Sequence, residues 1–189
     1  MKKTMYAFIA FLMVGISFVH AQNEVGAANL PDTVNFHEQE LVYNGAGIRK
    51  KMWFKLYSGG LYLKQKSSDA KDIQNADETM VIRLYITSGM ISSSKMINAV
   101  DEGFENSTNG NTAPIASKIE TFKNFFSEEI NDGDIFDIAY IKDKGVYVYK
   151  NSKEKGIIPG LEFKKALFGI WLGDKPADKK LKKGMLGSE

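Results

Sequence analysis

Arginine occurs only twice in this 189-residue chain, as Arg49 and Arg83, so that 23 of its 25 basic residues are lysines. Solubility is therefore left to lysine, and Arg49 calls for another reason. It follows the glycine-rich stretch Asn44-Gly-Ala-Gly-Ile-Arg49, read as a bend, inside the apolar run of residues 41–63. A guanidinium stays charged when buried and presents a planar fork of donors to a carboxylate or an oxyanion, which an ammonium cannot copy. Arg49 is thus the candidate anion-facing group, against the alternative of a structural salt bridge.

Other chemistries lack their residues. There is no cysteine, which removes disulfides, thiol catalysis and lipidation on sulfur. The two histidines are His20 and His37; so few do not furnish a zinc site. No Gly-x-Ser-x-Gly elbow accompanies them. Asp132-Gly133-Asp134 reads as a turn rather than a metal pair. No metal and no cofactor is expected.

Residues 1–21 have the form of a secretory signal: basic Lys2 and Lys3, an apolar run from Tyr6 to Val19, and the small-residue site Val19-His20-Ala21. The expectation is a periplasmic or secreted protein with one domain over residues 22–189 and no transmembrane segment. Removing the signal's two lysines leaves 25 − 2 = 23 basic against 23 acidic residues. That neutrality argues against a nucleic-acid partner, which needs a net basic face. Lys179, Lys180, Lys182 and Lys183 read as a solvated helix end, with contact to an anionic membrane as the alternative.

These residues must be positioned by an α+β domain with a largely antiparallel sheet. Residues 22–32 read as loose. Strands are expected at 33–39, 40–43, 52–63, 79–87, 135–141, 146–149 and near 156–158. Helices are expected at 67–76, after the Ser92-Ser93-Ser94 cap, from Thr112 with Pro114 in its first turn through Ile130, at 161–172 and at 176–183. Both faces of 52–63 look buried, which suits a sheet with helices on one side and another cover, such as a ligand cleft, on the other.

Three segments together, Asn44-Gly-Ala-Gly-Ile-Arg49, Leu56-Tyr-Ser-Gly-Gly-Leu-Tyr-Leu63 and Phe168-Gly-Ile-Trp-Leu-Gly-Asp-Lys-Pro176, resemble the chalcone isomerase-like superfamily, and its exported bacterial branch most of all. The resemblance implies an open-faced β-sandwich, a large antiparallel sheet with a layer of helices and a cleft between them. In the plant isomerases the arginine after the glycines positions a phenolate. In the relatives that bind fatty acids, that arginine and a tyrosine grip the carboxylate. Arg49 and Tyr57 match these two positions, and Met96, Val100, Phe122 and Leu167 would line the cleft. True isomerases also carry a polarising tyrosine and asparagine at the entry to the first long helix. Here Met90-Ile-Ser-Ser-Ser-Lys-Met-Ile-Asn98 has serine in place of the tyrosine, with Asn98 about one residue from the asparagine.

Eight residues of straight strand span roughly 26 Å, so Arg49 and Tyr57 can share a ligand only if the chain reverses between Lys50 and Trp53. Three readings follow. The first is non-catalytic binding of a fatty acid or similar amphipathic carboxylate. The second is a cofactor-free isomerase or intramolecular lyase acting on a small phenolic enone. The third is a partner-binding protein whose cleft is filled by side chains.

Overall fold

Strands buried on both faces, with glycines where another element comes close, build one curved antiparallel sheet. The structure, a computed structural model, describes residues 22–188; the signal-peptide reading lies outside them. Strands β1 (Gln22–Val25) and β2 (Ala28–Pro31) form a hairpin of their own. The main sheet is formed by β3 (Thr33–Phe36), β4 (Gln39–Lys51), β5 (Phe54–Leu63), β6 (Met80–Ile86), β7 (Ile135–Ile141), β8 (Gly145–Lys150) and β9 (Lys153–Ile158). These seven lie in sequence order, each antiparallel to the next.

The helices are α1 (Ala70–Asn75), α2 (Ser93–Ser107), α3 (Ala116–Asn124), α4 (Leu161–Leu172) and α5 (Lys179–Met185). They pack on one face of the sheet over a core of Leu61, Ile82, Leu84, Phe104, Phe122, Phe136, Phe163 and Leu167. The α+β open-faced sandwich expected from the sequence is the fold observed. The other face carries a smaller cluster around Leu41, Tyr62, Val81 and Ala139. There the β1–β2 hairpin is held by the Ser58 hydroxyl, which donates to the Val25 carbonyl at 2.6 Å. Residues 22–32 are therefore ordered structure, with Ala28 and Leu30 fully buried. A short polar run can form a hairpin once a neighbouring sheet takes up its few apolar side chains.

The glycine-rich stretch is not a bend but the middle of β4, and its glycines serve helix packing. A Cβ on Gly45 would lie 2.3 Å from the Gly184 carbonyl oxygen, and one on Gly47 would lie 2.9 Å from the Leu181 Cα. Helix α5 thus rests directly on the strand backbone. Asn44 is the extra residue of a bulge between Tyr43 and Gly45. Its buried amide donates to the Ser67 and Met185 carbonyls and accepts from the Ser67 amide. Two more elements differ from expectation. Helix α3 stops at Asn124, with Phe126 and Ile130 still buried beyond it. Strand β5 begins at Phe54 rather than Met52, because the chain reverses first. Among the described residues no helix is long and apolar enough to cross a membrane.

Candidate functional site

The reversal between β4 and β5 uses two residues, Met52 and Trp53, between the paired Lys51 and Phe54. Met52 adopts φ 57°, a conformation that costs any residue with a Cβ and that two-residue hairpins ordinarily give to glycine. The tight hairpin makes Arg49 and Tyr57 direct cross-strand partners, which places both side chains on the helix-covered face. The Arg49 guanidinium carbon sits 5.8 Å from the centre of the Tyr57 ring. A register shift next to this pair leaves Leu56 unpaired. Such a bulge re-aims a side chain, so Leu56 and Tyr57, which a regular strand would send to opposite faces, both reach the same hollow.

That hollow has a volume of about 400 Å³ and lies between the β4–β5 hairpin and helix α2. Leu56, Ile91, Met96 and Ala99 form much of its wall, with Arg49 and Tyr57 as a neighbouring pair of polar donors and Lys51, Lys95 and Asn98 as further ones. The Arg49 side chain is half-buried. Among the described residues no carboxylate oxygen comes within 4.0 Å of its guanidinium. Arg83 shows the contrast: its Nε and Nη2 donate to the two carboxylate oxygens of Asp137 at 2.6 and 2.9 Å. That pair belongs to a separate concavity of about 520 Å³, lined also by Val34, Phe36, His37 and Tyr149. One arginine is locked to its acid while the other faces a hollow.

Tyr57 is almost fully buried, and its hydroxyl accepts a hydrogen bond from the Trp171 indole N–H at 3.0 Å. A hydroxyl also has a proton to donate, and among the described residues none takes it. Trp171 comes from the Phe168–Pro176 segment that carried part of the resemblance; its type was legible there, its partner 114 positions away was not.

Asp178 holds the Arg49 end of the strand. It caps α5 by accepting from the Lys180 and Leu181 amides, and it accepts from the Lys50 amide at 3.1 Å. Burial alone would raise this carboxyl, but the Lys50, Leu181 and Lys180 amides, with the charge of Arg49 added, hold it below the usual carboxylate range.

Of the other residues singled out from the sequence, Met96 lines the hollow, and Asn98 does so from an exposed position on α2. Val100, Phe122 and Leu167 do not line it. They belong to the close-packed core under the helices, where Phe122 meets Phe104, Phe126 and Phe163 at ring-centre distances of 5.2–6.0 Å. Helical spacing says that such residues face inward, not whether a space is left beside them. Ile91, Ala99, Lys95 and Glu102 line the hollow without having been anticipated. The suspected cleft therefore opens on the helix side of the sheet; the opposite face is partly covered by the β1–β2 hairpin. Among the described residues no cluster of three metal-ligating side chains occurs.

A seven-stranded antiparallel sheet with helices on one face, and an arginine–tyrosine pair beside a small hollow between sheet and helix, define an open-faced sandwich protein. The chain belongs to the chalcone isomerase-like family, whose family model matches residues 22–187. Among solved structures it is similar to a fatty-acid binding protein from Arabidopsis thaliana, with a TM-score of 0.65 and 16% identity over 84% of this chain and 91% of that one. At that identity the likeness shows the fold. No curated protein matches the chain.

Proposed function

We propose that this protein binds a fatty acid or similar amphipathic carboxylate in the hollow between the β4–β5 hairpin and α2, without transforming it. The observation that carries the reading is a guanidinium with no carboxylate oxygen within 4.0 Å among the described residues, 5.8 Å from the ring of a tyrosine whose proton is unclaimed there, both on the wall of a largely apolar hollow whose other polar lining is Lys51, Lys95, Asn98 and Glu102. A carboxylate satisfies both donors: Arg49 supplies charge and Tyr57 a neutral hydrogen bond. The volume falls in the range of about 300–1,000 Å³ usual for small-molecule sites. Each methylene of a buried tail contributes about 0.8 kcal/mol, so the tail supplies affinity while the head group sets orientation. The fatty-acid binding protein of the same fold lends support. The signal-like sequence of residues 1–21 supports a location outside the cytoplasm, in the periplasm or the medium.

Native mass spectrometry of freshly purified protein, followed by organic extraction, tests the reading. The expected result is a co-purifying acid, or uptake of added fatty acid at one equivalent. A chain that stays empty in the presence of excess acid contradicts it.

A further inference from the structure

The β4–β5 tip exposes what a soluble domain ordinarily hides. Met52 is 74% and Trp53 72% exposed, Phe54 is 39% exposed, and the Trp53 and Phe54 rings lie against each other at 5.5 Å. Nearby, at the start of the segment leading into α2, Met90 is 42% exposed. These four are the large hydrophobic side chains of the described surface with the most exposure, apart from Ile157. All but Trp53 also line the hollow. The apolar tip is thus the outer edge of the binding site.

Its flanks are cationic. Lys50, Lys51 and Lys55 are exposed around the tip, and Asp178 ties the exposed Lys179 and Lys180 of α5 to the base of the same hairpin. No acidic residue occurs between Glu40 and Asp69. The acids of the neighbouring elements are Asp178, whose carboxylate is occupied by three amides, and on α2 Asp101, which is paired with Lys123, Glu102, which lines the hollow, and Glu105. Lys95 of α2 adds another positive charge, with its Nζ donating to the Met90 carbonyl. A chain that is neutral after residue 21 has gathered positive charge around a protruding aromatic hairpin.

We propose that this hairpin docks on the surface of an anionic phospholipid bilayer, with Trp53, Met52 and Phe54 entering the headgroup–acyl boundary and Lys50, Lys51 and Lys55 meeting the lipid phosphates. Tryptophan settles at membrane interfaces because its ring is apolar and its N–H is polar, and lysines on the same element reach the anionic surface. A second copy of this chain is a poor occupant, because pairing two tips would bring their lysines together. Docking puts the mouth of the hollow against the lipid, so an acyl chain passes between bilayer and protein with little exposure to water. That purpose rests on the fatty-acid reading; the docking itself does not.

The test uses the full chain and its variants with identical N-termini, mixed with phosphatidylglycerol vesicles carrying brominated acyl chains, and with phosphatidylcholine vesicles. Trp53 is exposed and Trp171 buried, so quenching reports the tip. The expected result is quenching of the parent by brominated phosphatidylglycerol that weakens with salt. Trp53→Ser should partition at least ten-fold more weakly, and the pair Lys50→Gln, Lys55→Gln about 25-fold more weakly on phosphatidylglycerol, at roughly five-fold per lysine. Neither set of residues lines the hollow, so both variants should bind fatty acid like the parent. Absence of quenching in the parent, or sedimentation of Trp53→Ser with vesicles as tightly as the parent, overturns the proposal while leaving acid binding untouched. A concentration-dependent dimer that Trp53→Ser dissolves, with no vesicle binding, also overturns it.

Discussion

Replacing Arg49 separates the head-group contact from everything else in the hollow. A charge-assisted hydrogen-bonded contact contributes about 1.5–3 kcal/mol net, which corresponds to roughly 10–150-fold in Kd. The tail is untouched by the change, because its stabilisation comes from walls such as Leu56, Ile91 and Met96. The cost to the fold is small: Arg49 has no carboxylate partner among the described residues, and its contact with the Tyr57 ring accounts for about 0.5–1 kcal/mol. The assay is calorimetric titration of parent, Arg49→Ala and Arg49→Lys with a saturated fatty acid and with the alcohol of the same chain length. Arg49→Ala should weaken the acid by the factor above, leave the alcohol within about two-fold, and lower the Tm by no more than about 4 °C. Arg49→Lys should fall between, because the ammonium keeps the charge and loses the fork. If Arg49→Ala binds the acid as the parent does, or loses acid and alcohol alike while remaining folded, the guanidinium is not the counter-ion.

Tyr57→Phe should weaken the acid about ten-fold and also destabilise the fold by about 1–2 kcal/mol, since the buried Trp171 N–H loses its acceptor; titration and urea unfolding read the two effects separately. Gly47→Ala places a Cβ 2.9 Å from the Leu181 Cα, and a backbone neighbour cannot swing away, so a loss of about 1–3 kcal/mol and a Tm lower by roughly 3–10 °C are expected. Lys164 is fully buried, with Nζ donating to the Ile73, Gln74 and Ala76 carbonyls, and burial pulls its ammonium down to about 7. Between there and the ordinary lysine range the unfolded chain holds a proton that the folded chain has released, so stability rises with pH. Urea unfolding at pH 7, 8 and 9 should show a slope of at most about 1.4 kcal/mol per pH unit, absent in Lys164→Met. Incubation with a chalcone should give no cyclisation above the solution rate; turnover abolished by Arg49→Ala would favour the isomerase reading instead.

What could be seen in the residues depended on how local its cause was. Helix α4 has the expected bounds 161–172 because Pro159-Gly160 and an apolar run define it from within. Helix α2 begins after Ser92, whose hydroxyl takes the Lys95 amide, as the serine run suggested. The pairing of Arg49 with Tyr57 was not derivable in this way. Nothing about Met52-Trp53 resembles a turn, and the reversal is imposed by the register of two long strands and by α5 seated on β4. The glycines at 45 and 47 misled for a related reason: a glycine needed for close approach reads, in sequence, like a glycine needed for a bend. Val100, Phe122 and Leu167 show the remaining gap, since packed and unpacked interior positions share one periodicity.

The serine run bears on which chemistry the hollow can perform. Ser92 is committed as the cap of α2, and the Ser93 hydroxyl donates to the Phe126 carbonyl at 2.5 Å. Both are occupied in shaping the helix entry, where an isomerase of this family would keep a hydroxyl for polarising its substrate. Among the donors left to a ligand, Arg49 and Tyr57 form the one cross-strand pair, with Lys51, Lys95 and Asn98 also lining the hollow. That pair is braced from three sides: Trp171 on α4 fixes the tyrosine oxygen, Asp178 ties α5 to the strand beside the arginine, and the hairpin register sets the two side chains opposite each other. A rigid pair of donors beside an apolar wall grips a carboxylate head well. The polar groups that α2 adds to the hollow are Lys95, Asn98 and Glu102, and the chalcone assay reads whether they polarise a substrate.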